Sequence, residues 1–405
     1  MHYTLAGICA HACLLSPTCC LCNHSGMLVL GAQSYLRCTS QSSVSRKKRV
    51  LGLVESKELD AVIVFSQSNV FYLLSSDAPS AGVLFRDGKL VALAPRLEYL
   101  RALEEVSEGE VYAYARFYEP AEYEKVIPGD LYDALASLLK QEDARSVGVV
   151  GASLEAKQKL SEKLGVEPAD VTKEFSMLRR SKDPEELRLM KQAVAVAEEA
   201  MRAAVDSLER GVAEAEVLAR VLSVIARRGA LPSFTPIIAF GEHSAHPHAK
   251  PSTRELREGD LVKLDLGARV GGYCSDITRT FVYGTPSPKQ ERLFKAVLKA
   301  QQRALEAMAR GVPAKQVFFK AYDALKEEGL NAYFNHGLGH GVGIDIHEAP
   351  ALNSESDEVL VENDVVTVEP GLYLAGYGGV RIEDMVLVVE GGYEELTRFA
   401  KDPII

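Results

Sequence analysis

Cysteine is scarce where the body of the chain lies. Of seven cysteines in 405 residues, six (Cys9, Cys13, Cys19, Cys20, Cys22 and Cys38) fall in the first 38 positions, and only Cys274 follows. A body of that size is not built on disulfides. It suits a reducing compartment, so a cytoplasmic location is expected. No run of 18 apolar residues occurs, so a membrane-spanning helix is not expected either. Positive charge is not in excess: the net charge is −10 at pH 7, which argues against a protein whose task is gripping a nucleic-acid backbone. What remains is ordinary globular composition, 47% hydrophobic and 25% charged, which leaves ample material for a core. At about 150 residues per domain the length predicts two or three domains.

Acidic residues are missing from positions 1–54, which hold Arg37, Arg46, Lys47, Lys48 and Arg49. A metal cluster at Cys19, Cys20 and Cys22 would lack a second CxxC-type half or a histidine pair. A secretory signal is broken by Ser16, Pro17 and Thr18. A transit-type leader fits the missing acids and the serines better. The expectation adopted is a poorly structured extension over 1–48, which is compatible with a start at Met27 or near Val44.

Residues 49–172 read as an α/β domain. Ala61 to Phe65 and Val147 to Val150 are short apolar runs of strand length. Ala81 to Phe85 and Leu90 to Ala94 flank the turn Arg86-Asp87-Gly88-Lys89, which predicts a hairpin. Leu97 to Glu105 and Leu131 to Lys140 show helical spacing. The segment has no nucleophile elbow, phosphate loop or dinucleotide fingerprint, so a packing or oligomerisation role is expected of it. A helix then begins with Asp183 as its cap, Pro184 first and Glu185 and Glu186 in the first turn.

Residues 173–405 contain an internal repeat. Residues 258–267 read EGDLVKLDLG, and residues 362–371, 104 positions on, read ENDVVTVEPG. Upstream, Arg210-Gly211-Val212 and Arg310-Gly311-Val312 each join two helical segments. Each half is predicted as two helices followed by a β-hairpin, the halves related by a pseudo-twofold axis around one shared sheet. In the first hairpin, Lys263 and Asp265 alternate with Val262, Leu264 and Leu266, so one face is polar. With its turn at Val270-Gly271-Gly272, Asp265 lies opposite Asp276 or diagonal to it, depending on where the turn is centred. In the second, a turn near Gly376-Tyr377-Gly378 makes Glu369 and Glu383 cross-strand partners.

Four carboxylates on one face repel one another, and each raises the pKa of its neighbours unless a cation intervenes. Lys263 and Arg381 are too few to pair them all, so divalent metal is expected over a salt-bridged surface. Six of the nine histidines fall in two short stretches, GEHSAHPH (His243, His246, His248) and HGLGHGVGIDIHE (His336, His340, His347). Imidazole with four carboxylates makes a site for Mn, Co, Zn or Fe rather than a closed structural zinc site.

The set DLG…SDITRT, HGLGHG…HE, VEPG and RIED resembles the pita-bread metallopeptidases: aminopeptidase P, prolidase and methionine aminopeptidase. The resemblance spans roughly residues 50–405. It implies an α+β pita-bread catalytic domain, two helix–helix–hairpin halves around a shared curved antiparallel sheet, preceded by a smaller α/β creatinase-type domain. Asp265, Asp276, His340, Glu369 and Glu383 match its five metal-ligand positions. Asp276 and Glu383 would bridge two divalent ions, Mn or Co first, with Zn or Fe as alternatives. In such a site a hydroxide held between the ions attacks the peptide carbonyl. Glu369 would shuttle the proton, His248 and His347 would contact substrate and the tetrahedral intermediate, and Arg381 would hold the carboxylates. His336 is a substrate or packing residue.

The expected substrates are peptides with proline second, and the expected assembly is a homodimer. Dipeptide-specific members often carry an arginine between the second histidine motif and VEPG. The stretch Glu348 to Val368 has none, which favours an Xaa-Pro aminopeptidase, with prolidase as the alternative. A non-catalytic binding module on the same fold is a further alternative, and the intact ligand set argues against it.

Overall fold

The computed structural model describes residues 40–117 and 119–404. The expected extension over 1–48 falls outside them up to residue 39. From there a helix, Ser40–Ser56, leads into a seven-stranded mixed sheet. The sheet runs from Val126–Pro128 at one edge through Glu110–Ala115, Leu90–Pro95, Ala81–Phe85, Ala61–Val64 and Val147–Val150 to Ala169–Asp170. Ala81–Phe85 pairs antiparallel with both neighbours, so the Arg86–Lys89 turn forms the predicted hairpin. Helical spacing over Leu97 to Glu105 resolves into a 3-10 turn, Arg96–Glu98, and a short helix, Tyr99–Glu105.

Strand alternation splits the sheet into two apolar faces. Ala61, Ile63, Val83 and Val91 pack under the helices Leu131–Gln141 and Leu154–Leu164. Val62, Val64, Leu84 and Ala92 join a second cluster that contains Val50 and Tyr72 and also Tyr273, Val342 and Met385 from the second half of the chain. Core residues therefore run without a break from the N-terminal sheet into the hairpins beyond. Burying each large side chain in this layer is worth about 1.5–3 kcal/mol, enough to hold the two parts as one body.

The second part shows the duplication. Pro184–Asp206 and Glu214–Arg227 form the first helix pair; Pro288–Glu306 and Ala314–Glu327 form the second. Asp183 and Ser287 cap the two leading helices with capping boxes closed by Glu186 and Gln290. The shared sheet is interrupted into separate ladders. In the first hairpin Asp265 pairs with Thr278 and Val270 with Tyr273, which centres the turn between Gly271 and Gly272. Asp276 is thus the diagonal neighbour of Asp265. The ladder breaks between these residues at Gly267, where a Cβ would sit 1.9 Å from the Ser275 carbonyl oxygen. In the second hairpin Val365–Val368 pairs with Asp384–Val389, and Gly371–Leu374 with Gly378–Arg381. That register sets Glu369 opposite Glu383, again at a break. Their backbone N–H groups turn outward, Glu369 to the Leu338 carbonyl at 2.8 Å and Glu383 to the Thr278 carbonyl at 3.1 Å.

Candidate metal centre

The two breaks face each other. Thr278 Oγ1 donates to Glu383 Oε2 at 2.7 Å, and Arg381 N donates to Thr280 Oγ1 at 3.1 Å, so the first hairpin abuts the second. Asp265, Asp276 and Glu383 are 6%, 5% and 2% exposed. One ligand atom each of Asp276, His340 and Glu383 lie within 4.8 Å of one another. His340 Nε2 is 3.4 Å from Glu369 Oε1 and 3.7 Å from Asp276 Oδ2. On the other edge of its ring, Nδ1 is 3.0 Å from the Gly341 carbonyl oxygen. A proton on Nδ1 satisfies that carbonyl and leaves the Nε2 lone pair facing the acids, the tautomer a metal ligand needs.

The cluster is short of positive charge. Burial pushes the Asp276 carboxyl well above its ordinary value, and the charges of Glu383, Asp265 and Glu369 push it further. Burial does the same to Glu383, with Glu369 and Asp265 adding to it. Burial also pushes Glu369 up, but His340 and Arg381 outweigh that and leave it lowered. Oδ1 of Asp265 and Oδ1 of Asp276 are buried without a hydrogen-bond partner. Buried anionic oxygens left unpaired are costly, and divalent cations are the economical partner. The donor set is four carboxylates and one imidazole, which fits two such ions.

Other expected residues surround this centre. Arg381 is buried and donates to Asp265 Oδ2 and, through Nε, to Thr278 Oγ1 at 3.1 Å. The His347 ring packs edge-on against His340, with centroids 4.2 Å apart. His336 stands behind Tyr373, with Nε2 3.0 Å from the phenol oxygen. His248 is exposed at the end of the segment that carries His243 and His246. His243 is a loop anchor, its Nδ1 2.8 Å from Glu214 Oε1.

Two residues near the site have roles that the sequence reading did not give them. Lys263 does not neutralise the acids through a hydrogen bond. It is fully buried, and its Nζ donates to the carbonyls of Ser244, His246 and Pro247 at 3.0, 2.6 and 3.3 Å. Tyr373 accepts from Arg381 Nη1 at 2.7 Å, and burial pushes its phenol up to about 12. Alternation carried a signal for Tyr373, because residues 369, 371 and 373 share a strand face.

A buried carboxylate–imidazole cluster that could hold a metal ion thus lies at the junction of the duplicated hairpins. Comparison with known proteins places it further. Residues 188–390 match the metallopeptidase family M24, and residues 46–181 match the creatinase/prolidase N-terminal domain. The Xaa-Pro dipeptidase of Pyrococcus furiosus is 36% identical over 364 residues, spanning 88% of this chain and 99% of that protein. Among solved structures, an Xaa-Pro dipeptidase from Bacillus anthracis aligns with TM-score 0.80 at 28% identity, over 90% of this chain and 100% of its own. An X-Pro aminopeptidase from Thermotoga maritima aligns with TM-score 0.78 at 29% identity, over 89% and 100%. The chain belongs to metallopeptidase family M24 and is a hydrolase of the metallo-exopeptidase class. Among the described residues no helix is long and apolar enough to cross a membrane.

Proposed function

We propose that this chain is an Xaa-Pro dipeptidase that works with two divalent ions held by Asp265, Asp276, His340, Glu369 and Glu383. The observation that carries the metal reading is the pair of orphaned buried oxygens on Asp265 and Asp276 beside His340. The named dipeptidases among the relatives support the dipeptide reading over the aminopeptidase reading favoured by the sequence. The absence of arginine between Glu348 and Val368 is then a feature of this chain, and another group must meet the substrate carboxylate.

Bound ions supply Lewis-acid polarisation of the scissile carbonyl and an acidified water. The protein groups supply the rest. Glu369, lowered and facing His340, is a carboxylate ready to take the proton of the attacking water and pass it to the leaving proline nitrogen. His248 and His347 stand exposed at the rim, where an imidazole N–H can donate to the oxygen that gains charge as the carbonyl becomes tetrahedral. Arg381 holds Asp265 in place while its other arm holds Tyr373. Mn or Co is the proposed metal. A homodimer and a domain boundary at residue 172 belong to the same proposal.

The test is Asp276→Ala. It should lose bound metal and peptide hydrolysis together while the fold persists by circular dichroism. Unchanged hydrolysis in that variant would remove the proposed centre from the mechanism.

A further inference from the structure

His347 is exposed, and among the described residues no hydrogen bond grips either nitrogen of its ring. Among the described residues its only ring partner is His340. The backbone that carries it must therefore fix its position. That backbone is held from both sides by acids, Asp345 two residues before and Glu348 one residue after.

Both acids converge on one guanidinium. Arg179 is the penultimate residue of the helix Thr172–Arg180, which links the N-terminal sheet to the helix starting at Pro184. Its Nη2 donates to Asp345 Oδ2 and to Glu348 Oε2, each at 2.7 Å. Its Nη1 donates to Asn69 Oδ1 at 2.7 Å. Asn69 lies on the helix Gln67–Leu74 of the N-terminal part, and its neighbour Ser68 donates to the second oxygen of Asp345. The second oxygen of Glu348 takes Lys182 Nζ at 2.5 Å. Glu348 folds back over Gly343, where a Cβ would meet its Oε1 at 2.3 Å. The Gly343 carbonyl in turn accepts Cys274 N at 2.8 Å, from the hairpin that bears Asp265 and Asp276.

We infer that Arg179 is a positioning residue for His347, carrying the placement of Asn69 in the N-terminal part into the geometry of the catalytic loop. A planar guanidinium can serve three acceptors in fixed directions at once, which a lysine ammonium on a flexible stem does not reproduce. Arg179 is 9% exposed, so solvent screens these contacts weakly. The N-terminal part thereby has a catalytic task without contributing a group to the metal centre. This inference rests on the substrate role proposed for His347, and the experiment separates the two.

The experiment is a double-mutant cycle on metal-loaded full-length protein with an Xaa-Pro dipeptide, comparing the parent, Arg179→Lys, His347→Ala and the double variant. Bound metal and melting temperature are measured on each. Arg179→Lys should lower kcat, by up to about a hundredfold for a displacement near 1 Å, with KM and bound metal little changed. In the His347→Ala background the same substitution should cost nothing further. Multiplying losses would overturn the inference, as would an unchanged kcat in Arg179→Lys. An unchanged kcat in His347→Ala would instead refute the role of His347. Where His347→Ala leaves too little rate to measure, the imidazole signal of His347 in zinc-loaded protein decides. It should move in Arg179→Lys while that of His243 stays, and a stationary His347 signal would overturn the inference. If Arg179→Lys fails to fold, Asn69→Ala removes one anchor only and should show a smaller loss with the same dependence on His347.

Discussion

Arg279 and Asp384 meet where the two duplicated halves join, with Nη2 of the guanidinium 2.8 Å from Oδ1 of the carboxylate and both side chains buried. The same guanidinium reaches the Glu383 carbonyl at 2.6 Å through Nη1. One ion pair thus fixes the backbone on which a proposed metal-bridging residue sits. Arg279→Met should destabilise the protein by about 3–5 kcal/mol, because Asp384 stays buried with one cation fewer. Lys401 Nζ, 2.5 Å away, favours the lower end of that range. Urea unfolding measures this, and a loss under about 1 kcal/mol would mean that Lys401 and Gln301, whose Nε2 donates to Asp384 Oδ2 at 3.0 Å, suffice.

Lys263→Met offers a second test of how loops are placed. The carbonyls of Ser244, His246 and Pro247 share this one side-chain nitrogen, although Arg381 Nη1 also reaches Pro247 O at 3.2 Å. Removing the donor leaves carbonyls unpaired at about 1–3 kcal/mol each where they stay dry. The expected outcome is a lower unfolding midpoint and a lower kcat, since His248 follows directly on this segment. Full activity with lowered stability would show that His248 does not depend on the loop.

Glu186 makes stability depend on pH. It is 1% exposed and faces Asp183, Tyr273, Arg49, Arg46 and Lys182. Burial raises its carboxyl above the usual 4.5, opposed by the Asp183 backbone N–H. A raised folded-state pKa contributes stability that is complete below about 4.5 and lost as pH climbs through the raised value. Glu186→Gln removes that titration. The parent should therefore lose stability relative to the variant as pH rises above about 4.5, read from urea midpoints. A difference that stays flat over this range would contradict the raised pKa.

Much of the site could be read from sequence because the four carboxylates proposed as ligands sit on two hairpins. Period-two alternation together with a glycine turn sets register, and register brings Asp265 to Asp276 and Glu369 to Glu383. One residue of uncertainty in the first turn left two pairings open, and the structure takes the diagonal one, centred between Gly271 and Gly272. Caps at Asp183 and Ser287 were equally legible, because the side chain and its partner lie three residues apart. Contacts made across the fold were not. Nothing local in the sequence tells Lys263 to seek three carbonyls some 16–19 residues upstream, or Arg179 to reach acids 166 and 169 residues on. Neither could the strands announce where the shared sheet breaks, since the breaks arise from close backbone approach at Gly267 and outward-turned N–H groups at Glu369 and Glu383.

Metal removal should act on fold and activity together. Ions that bind only the native state add about 2.7 kcal/mol of stability when free metal is a hundredfold above Kd. Chelation should lower the unfolding midpoint accordingly and abolish hydrolysis, and Mn or Co should restore both. Hydrolysis that survives exhaustive chelation would contradict the proposed centre.

The most direct measurement is hydrolysis of two substrates by Mn- or Co-loaded protein, an Xaa-Pro dipeptide and an Xaa-Pro-Yaa tripeptide. The account predicts cleavage of the dipeptide and little or none of the tripeptide. Preferential cleavage of the tripeptide, or no cleavage of the dipeptide with metal demonstrably bound, would contradict it.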